Sequence, residues 1–302
     1  MLNRVLVSSF AKAIALLLLA ILLFDLMGAI IKHLGQYYPA QQLSMFRNIF
    51  GTVPSLVALF SSQSWHESGR PILIRQWKLA LVRGLFIAAA QFCFYLSLAR
   101  LEFATATTLT FSGPLLITLL SIPVHGQKVV LSHWLAVLIG FAGVVLVIRP
   151  GNELFSWSAL LPLCAALGYA STSVTAKLFD DSVPTAIINL FAIVGALAGS
   201  ITLVLAIGGY VSVESLEDWL WLFGMGTAGG TAVFCLISAY RMTTPSTLSP
   251  FEYFGIPFSF ILGWIFFSEA PFGRLFPGVF LIIGGGLLIV WKELRENKPS
   301  ES

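Results

Sequence analysis

The sequence predicts an all-α membrane protein with ten transmembrane helices, arranged as two inverted five-helix repeats. Of its 302 residues, 57% are hydrophobic and only 10% are charged, whereas soluble domains have about 25% charged residues. The apolar residues form long continuous runs, and in lipid such runs must be helical because their backbone groups have to pair internally. The third observation is that the two halves of the chain repeat one another.

Ten apolar runs have about the 20 residues that a helix needs to cross a bilayer. The predicted spans are residues 12–32, 41–61, 77–99, 104–124, 130–149, 157–178, 184–208, 219–239, 247–268 and 272–292. The connections are short, and the longest covers residues 62–76. No segment is long enough for a soluble domain, so we expect one integrated transmembrane domain.

The distribution of basic residues predicts the orientation of the spans. With the N-terminus inside, eleven lysines and arginines fall on the inner side and four on the outer side. Cytoplasmic loops are enriched in Lys and Arg, so both termini are predicted to be cytoplasmic. The remaining two, Arg47 and Arg83, lie near span ends, where their side chains could extend to the membrane interface as topology anchors.

The internal repeat divides the chain into residues 1–150 and 151–302. Lys32 and Pro39 recur 145 residues later as Lys177 and Pro184, and a Phe-x-x-Pro motif at 111 recurs at 254. Chance similarity between apolar segments is the alternative explanation. Two consecutive five-span units have opposite orientations, and repeats of this kind place a substrate site near mid-membrane between the halves.

Three local signatures resemble the EamA-type branch of the drug/metabolite transporter superfamily. They are the arginine within Ser44–Asn48, the run Phe94–Arg100 at the end of the third span, and Phe267-Ser268-Glu269 before a glycine-rich last span. Within that superfamily, the chain is similar to bacterial exporters of aromatic amino acids and other amphipathic metabolites. The resemblance implies a secondary transporter of the bacterial inner membrane that works by alternating access.

The chain departs from the family pattern at one position. Family halves usually end their fourth and ninth spans with a glutamate, and the second half has Glu269 there. The first half has Gly126 at the corresponding position, 143 residues earlier. A role for this acid in both halves is therefore not expected.

Candidate pathway residues are polar or aromatic side chains inside the predicted spans. They are Asp25, Gln91, Tyr95, Phe111, Tyr169, Ser173, Glu252, Tyr253 and Trp264. Such side chains at helical spacings could line a cavity for a solute with an apolar body and a few polar groups. The alternative is ordinary packing between helices, where small and hydroxyl residues are also favoured.

Two acids need a separate interpretation because charged groups inside a membrane are costly. Asp25, in the middle of the first span, could relay protons, bind substrate, or be a fixed structural partner of Arg47 or of a serine or threonine. Glu252 lies in the ninth span among three prolines, Pro245, Pro250 and Pro257. These prolines predict breaks in the helix, so Glu252 is either a pathway group or a solvated group near the cytoplasmic end.

Three functions compete at this stage. The leading hypothesis is export of aromatic and other amino acids, and the second is import of nucleoside-like, cofactor or sugar substrates. A membrane-embedded enzyme or sensor is the third, although the sequence has no catalytic constellation, metal-ligand spacing or phosphate-binding loop. We expect no cofactor, no metal and no nucleic acid, with a small-molecule substrate and the lipid bilayer as partners of a monomer or homodimer.

Overall fold

The computed structural model describes residues 2–67, 69, 74–101, 103–110, 112–126, 131–148, 158, 160–269, 278, 280–281 and 284. Within these ranges the regular structure is entirely helical. The α-helices are α1 Leu2–Leu34, α2 Ala40–Phe60, α3 Gln63–Glu67, α4 Trp77–Leu98, α5 Phe103–Thr110, α6 Gly113–His125, α7 Leu131–Ile148, α8 Leu160–Thr175, α9 Thr185–Ile207, α10 Leu216–Met242, α11 Pro245–Leu248 and α12 Gly255–Phe267. Two 3₁₀ segments, Ala176–Leu178 and Ser249–Phe254, extend α8 and join α11 to α12.

Five helices in the described part of the chain are long and apolar enough to cross a membrane. They are Ser9–Leu34 within α1, and the whole of α2, α4, α9 and α10. The other predicted spans within these ranges correspond to shorter or divided helices, and most of the tenth span lies outside the described residues. The membrane fold class is therefore observed, and the number of ten spans stays a prediction.

Prolines account for the divided helix of the predicted ninth span. Proline has no backbone N–H and its ring clashes with the preceding turn, so it is disfavoured inside a helix. Here α11 begins at Pro245, the 3₁₀ segment has Pro250 at its start, and α12 follows from Gly255. The predicted breaks are confirmed at Pro245 and Pro250, whereas α12 continues through Pro257. The predicted fourth span is also divided, because α5 ends at Thr110 and α6 begins at Gly113.

Hydrogen bonds between loops and helix termini define two ends of the helical assembly. At the first end, the turn after α1 and the start of α2 meet the loop between α9 and α10: Gln41 and Gln42 donate to the carbonyls of Gly208 and Val211 at 2.8 and 2.6 Å. Tyr38 donates to Asp218 there at 2.8 Å. Burial and the Asp218 carboxylate raise the pKa of Tyr38 to about 12, so this hydroxyl remains a donor at physiological pH.

The second end joins the opposite termini of the helices. Gln76, before α4, donates to the carbonyl of Leu178 at 2.8 Å. Arg241, near the end of α10, donates to the carbonyl of Val183, just before α9, at 2.7 Å. The His125 ring, at the end of α6, bonds the carbonyl of Val174 in α8 at 2.8 Å.

These contacts give the direction of six helices. α1 ends at the first end, whereas α8 ends at the second. α2 begins at the first end, whereas α9 ends there. α4 begins at the second end, whereas α10 begins at the first. Helices in corresponding positions of the two halves therefore run in opposite directions.

The packing between helices is reciprocal under exchange of the halves. α1 packs on α10 as α8 packs on α4, and α2 packs on α10 as α9 packs on α4. α2 and α9, which occupy corresponding positions, pack on each other. α1 also packs on α12, as α8 does on α6. This arrangement leaves a space between α1, α4, α8 and α10, with elements of both halves on its walls.

Candidate functional site

A cavity of about 170 Å³ lies between the two halves. Its walls come from α1, α2, α4, α5, α6, α8, α10 and the two 3₁₀ segments. Most of the lining is apolar, as shown by Ile21, Phe24, Ile87, Phe94 and Ile237. A few polar side chains interrupt it: Asp25, Arg47, Arg83, Gln91, Thr107, Thr110, Tyr169, Thr172, Ser173, Tyr240 and Glu252. An apolar chamber with a few convergent polar groups is typical of a small-molecule site.

Asp25 projects from α1 into this cavity and is only 6% exposed. Its Oδ2 atom has no hydrogen-bond partner among the residues that the structure describes. Within the same ranges, the ion pair present is that of Lys32 with Glu269, so the structure shows no pairing of Asp25 with Arg47. A buried carboxylate without a partner is costly, because it has lost the hydrogen bonds that water would make.

Arg47 lies on α2 and is 1% exposed, so it does not extend to the membrane interface. Its Nη1 donates to Asn48 Oδ1 at 3.0 Å, and its Nη2 donates to the carbonyl of Gly229 at 2.8 Å. Its Nε has no partner within the described residues. The guanidinium is thus held by two bonds while one N–H remains available.

Arg83 lies on α4, nearer the second end, and is also buried. It donates through Nε to Thr175 Oγ1 at 3.0 Å and through Nη2 to the carbonyl of Thr172 at 2.7 Å. Its guanidinium carbon lies 5.2 Å from the centre of the Phe179 ring, a favourable cation–π arrangement. Both arginines therefore line the cavity, whereas sequence reasoning favoured membrane anchoring for them.

Gln91 lines the cavity and also belongs to a polar network between α2 and α4. Its Oε1 accepts from Ser44 Oγ at 2.8 Å and from Asn48 Nδ2 at 2.9 Å, and its Nε2 donates to Asn48 at 3.2 Å. Asn48 reaches Ser200 of α9 at 3.4 Å. The Gln91 amide therefore has its partners in this network, which joins three helices beside the cavity.

Glu252, Tyr169 and Ser173 lie in the cavity wall as the sequence suggested. Glu252 is carried by the 3₁₀ segment Ser249–Phe254, and its Oε1 accepts a hydrogen bond from the hydroxyl of Tyr240 on α10. Glu252 is part-buried there, so its role as a pathway group stays a prediction. Tyr240, which sequence reasoning missed, is one of the largest fully buried side chains of the described part.

Four candidates lie elsewhere. Tyr95 is buried and outside the cavity lining, and its hydroxyl has no partner among the described residues. Tyr253 is also buried, with its hydroxyl 3.3 Å from the carbonyl of Val137. Trp264 is 51% exposed on the outside of α12. Phe111 lies outside the described residues.

Comparison with known proteins identifies the family. Residues 11–149 and 156–291 each match the EamA-like transporter family. A protein of known crystal structure superimposes on this chain with a TM-score of 0.77 at 21% sequence identity. The superposition covers 95% of this chain and 99% of the other. At that identity the likeness shows the fold alone.

Three curated relatives carry transporter names. An S-adenosylmethionine uptake transporter of Rickettsia bellii is 24% identical over 87% of this chain and 88% of its own length. A riboflavin transporter of Rhizobium johnstonii is 29% identical over 73% of this chain and 72% of its own. A pseudopaline exporter of Pseudomonas aeruginosa is 26% identical over 92% of this chain and 93% of its own.

The family match covers almost the whole chain in two segments, and the three relatives are also named as transporters. The resemblance inferred from the sequence is therefore confirmed. The chain is a membrane transporter that belongs to the EamA-like transporter family, within the drug/metabolite transporter superfamily.

Proposed function

We propose that the protein moves small amphipathic metabolites, with aromatic and other amino acids as the first candidates, by alternating access through the cavity. The observation that carries this proposal is an apolar chamber with isolated charged groups, enclosed by elements of both halves. Helices of opposite direction on its two sides could rock about a central substrate. We propose ten spans in two repeats, residues 1–150 and 151–302.

Export is the direction that we propose. The resemblance to exporters of amphipathic metabolites supports it, as does similarity to a pseudopaline exporter over nearly the full chain. The second candidate is import of nucleoside-like or cofactor substrates. It is favoured by relatives named for S-adenosylmethionine uptake and riboflavin transport.

We further propose that the protein lies in a bacterial inner membrane, with the second end and both termini in the cytoplasm. Basic side chains concentrate at the second end, as cytoplasmic faces require. Those near the second end are Lys12, Arg75, Lys78, Lys177 and Arg241, against Lys32 and Arg100 near the first. The working unit would be a monomer or a homodimer in the bilayer.

Flux through purified protein in liposomes tests the substrate class. Liposomes are loaded with unlabelled compound, and the exchange of labelled tryptophan, phenylalanine, S-adenosylmethionine, riboflavin and adenosine is measured. We expect saturable exchange of the amino acids above that of protein-free liposomes. Exchange of riboflavin or adenosine without the amino acids would favour the second candidate, and no exchange of any compound would contradict the proposal.

Direction is tested in cells that lack the gene for this protein. After a pulse of a dipeptide that contains the transported amino acid, an exporter lowers the internal concentration of that amino acid. We expect the deletion strain to accumulate more of it than the complemented strain. Faster uptake of external amino acid in the complemented strain, with no difference in accumulation, would reverse the direction that we propose.

A further inference from the structure

Four charged side chains line the cavity, Asp25, Arg47, Arg83 and Glu252, and no ion pair joins any two of them within the described residues. Glu252 accepts a hydrogen bond from Tyr240. Arg83 binds Thr175 and Thr172 and stacks on Phe179, although its Nη1 has no partner within the described residues. What these groups can offer a ligand is therefore reduced. The remaining charges need a different account.

Asp25 and Arg47 lack the additional contacts of the other two: no tyrosine hydroxyl binds Asp25 and no aromatic ring covers the Arg47 guanidinium within the described residues. Asp25 is 6% exposed and its Oδ2 lacks a partner, while Arg47 is 1% exposed and its Nε lacks one, within the described residues. No ion pair joins them in that part of the chain, although both line the same cavity. They place one carboxyl group and one guanidinium group on the cavity wall, each with an atom that the described residues leave unbonded, and a ligand cation beside Asp25 would stabilise its ionised form.

The position of Arg47 depends on a glycine. A Cβ added to Gly229 on α10 would lie 2.7 Å from Arg47 Nε and 2.5 Å from Met27 Sδ. The missing side chain at Gly229 therefore makes room for the guanidinium, while the Gly229 carbonyl binds Nη2. This fit orients the arginine before any substrate arrives, which lowers the entropic cost of binding.

Electrostatics then selects the ligand. A singly charged ligand would neutralise one of the two groups and leave the other buried without a partner, which is costly in a low dielectric. A ligand with both charges neutralises both groups and enters the membrane with no net charge. The surrounding apolar wall, which includes Phe24 and Phe94, fits an aromatic or aliphatic body.

We propose that Asp25 and Arg47 form the polar subsite for a zwitterionic substrate. The Asp25 carboxylate receives the ammonium or other cationic group, and the Arg47 guanidinium receives the carboxylate or other anionic group. The inference rests on the proposed function and narrows it to compounds of the amino-acid type. Arg47, absent from the set of sequence candidates, becomes a specificity-determining residue.

Three probes that share one aromatic body test this assignment. Phenylalanine carries both charges, 2-phenylethylamine lacks the carboxylate, and 3-phenylpropionate lacks the ammonium. Their affinities are measured by competition with labelled phenylalanine on the full-length protein in liposomes. We expect each missing charge to weaken binding about 10- to 100-fold, the range expected for a hydrogen bond to a charged group.

Variants assign each charge to its residue. Asp25→Asn should bind phenylalanine and 3-phenylpropionate with similar affinity, because the partner of the ammonium group is lost. It should still prefer phenylalanine to 2-phenylethylamine. Arg47→Gln should bind phenylalanine and 2-phenylethylamine with similar affinity and still prefer phenylalanine to 3-phenylpropionate. Arg47→Lys, which keeps a positive charge, should recover part of the preference over 2-phenylethylamine. A merely structural defect would weaken all three probes by the same factor, and that result would overturn the proposal.

A second variant covers the case in which Arg47→Gln does not fold. Gly229→Ala keeps the arginine but displaces its guanidinium, so it should weaken phenylalanine and 3-phenylpropionate more than 2-phenylethylamine. Gly224→Ala, on the same helix with no atom within 4 Å of the added Cβ, is the matched control. Equal loss for the three probes in Gly229→Ala would contradict the assignment.

The test separates this inference from the proposed function. If wild-type protein binds the three probes equally, or exchanges riboflavin but none of them, the zwitterion subsite is wrong while transport stands. If Asp25→Asn changes only the pH profile of flux and not the discrimination among probes, Asp25 is a proton site and the assignment fails. If nothing is bound or exchanged, both proposals fall.

Discussion

Within the cavity, Gln91 and Asp25 are both buried polar side chains, but their surroundings differ. Gln91 exchanges hydrogen bonds with Ser44 and Asn48 and ties α4 to α2. Asp25 Oδ2 has no partner within the described residues. A buried polar group that contributes to packing has hydrogen-bond partners in the protein. A buried group that binds a ligand has a desolvation cost that no protein hydrogen bond offsets until the ligand arrives.

Replacing Asp25 should therefore separate stability from function. Asp25→Asn removes a buried charge and no observed hydrogen bond, so the melting temperature in detergent should stay the same or rise. Phenylalanine exchange should fall at least about tenfold, because the ligand loses a charge-assisted bond. Melting curves and flux are measured on the same preparations.

Gln91→Leu is the comparison for that experiment. It breaks the network with Ser44 and Asn48 and leaves their buried groups without partners, at a cost of about 1–3 kcal/mol. Its melting temperature should fall. If Asp25→Asn were the less stable of the two, Asp25 would have a structural role that its contacts do not reveal.

Residue positions were only partly predictable. Asp25, Gln91, Tyr169, Ser173 and Glu252 reach the cavity, because a polar group inside an apolar span has to avoid lipid. Tyr253 and Trp264 could not be placed by the same reasoning. In a membrane both the buried and the lipid-facing sides of a helix are apolar, so hydrophobic periodicity does not show which side faces inward.

At the scale of elements, two glycine contacts are related by the internal repeat. Gly84 of α4 meets Gly195 of α9, where an added Cβ would lie 2.7 Å from the Gly195 Cα. Gly230 of α10 meets Gly51 of α2, where the corresponding distance is 2.8 Å. These pairs let the backbones approach closely, as small residues do between membrane helices.

Gly230→Ala should push α10 away from α2. Its Cβ would lie 2.6 Å from Pro54 Cγ as well as against the Gly51 backbone, and neither group can turn away as a flexible side chain can. We expect a loss of about 1–3 kcal/mol in stability, typical of overpacking. Melting temperature in detergent measures it, with Gly224→Ala as the control; equal melting of the two variants would contradict this account of the contact.

Element boundaries followed from sequence where a chemical signal existed. The prolines at 245, 250 and 257 predicted the divided ninth span, and α11, the 3₁₀ segment and α12 confirm it. The division between α5 and α6 was not predicted, because the apolar run 104–124 continues through it. Hydropathy measures how apolar a segment is and carries no information on where its helix is interrupted.

At the scale of the molecule, the two ends are held by different chemistry. At the first end, Lys32 of α1 forms an ion pair with Glu269 at 2.6 Å, and the Phe103 N–H donates to the same carboxylate at 3.2 Å. At the second end, the related contact joins the His125 ring to the Val174 carbonyl. Gly126, which corresponds to Glu269 in the repeat, has no carboxylate to offer.

Weakening the ion pair should favour opening of the first end. Both side chains are partly exposed, so the pair contributes at most about 1 kcal/mol, enough for a roughly fivefold change in the population of the open state. The labelling experiment uses a protein without its native cysteines that carries Thr110→Cys, and an impermeant maleimide added from the first end. Adding Glu269→Gln should make the labelling of this cysteine several-fold faster. Glu214→Gln is the control at that end, and unchanged labelling would show that the pair does not restrain opening.

The membrane class and the family were accessible from sequence because composition and local signatures report on the chain as a whole, and the division into two repeats stays a prediction. The Lys32–Glu269 pair was not accessible, since 237 positions separate its members. Nor was the gathering of Arg47, Arg83 and Tyr240 at one cavity, which depends on how α2, α4 and α10 pack.

The central claim is that solute passes through the cavity between the halves, and a cavity-filling substitution tests it most directly. Ala166 of α8 is 1% exposed and lines the cavity, while its neighbour Leu167 is 48% exposed. Ala166→Phe should reduce phenylalanine exchange to the level of protein-free liposomes, whereas Leu167→Phe should keep it near wild type, with both variants folded by gel filtration. Wild-type exchange by a folded Ala166→Phe protein would contradict the claim.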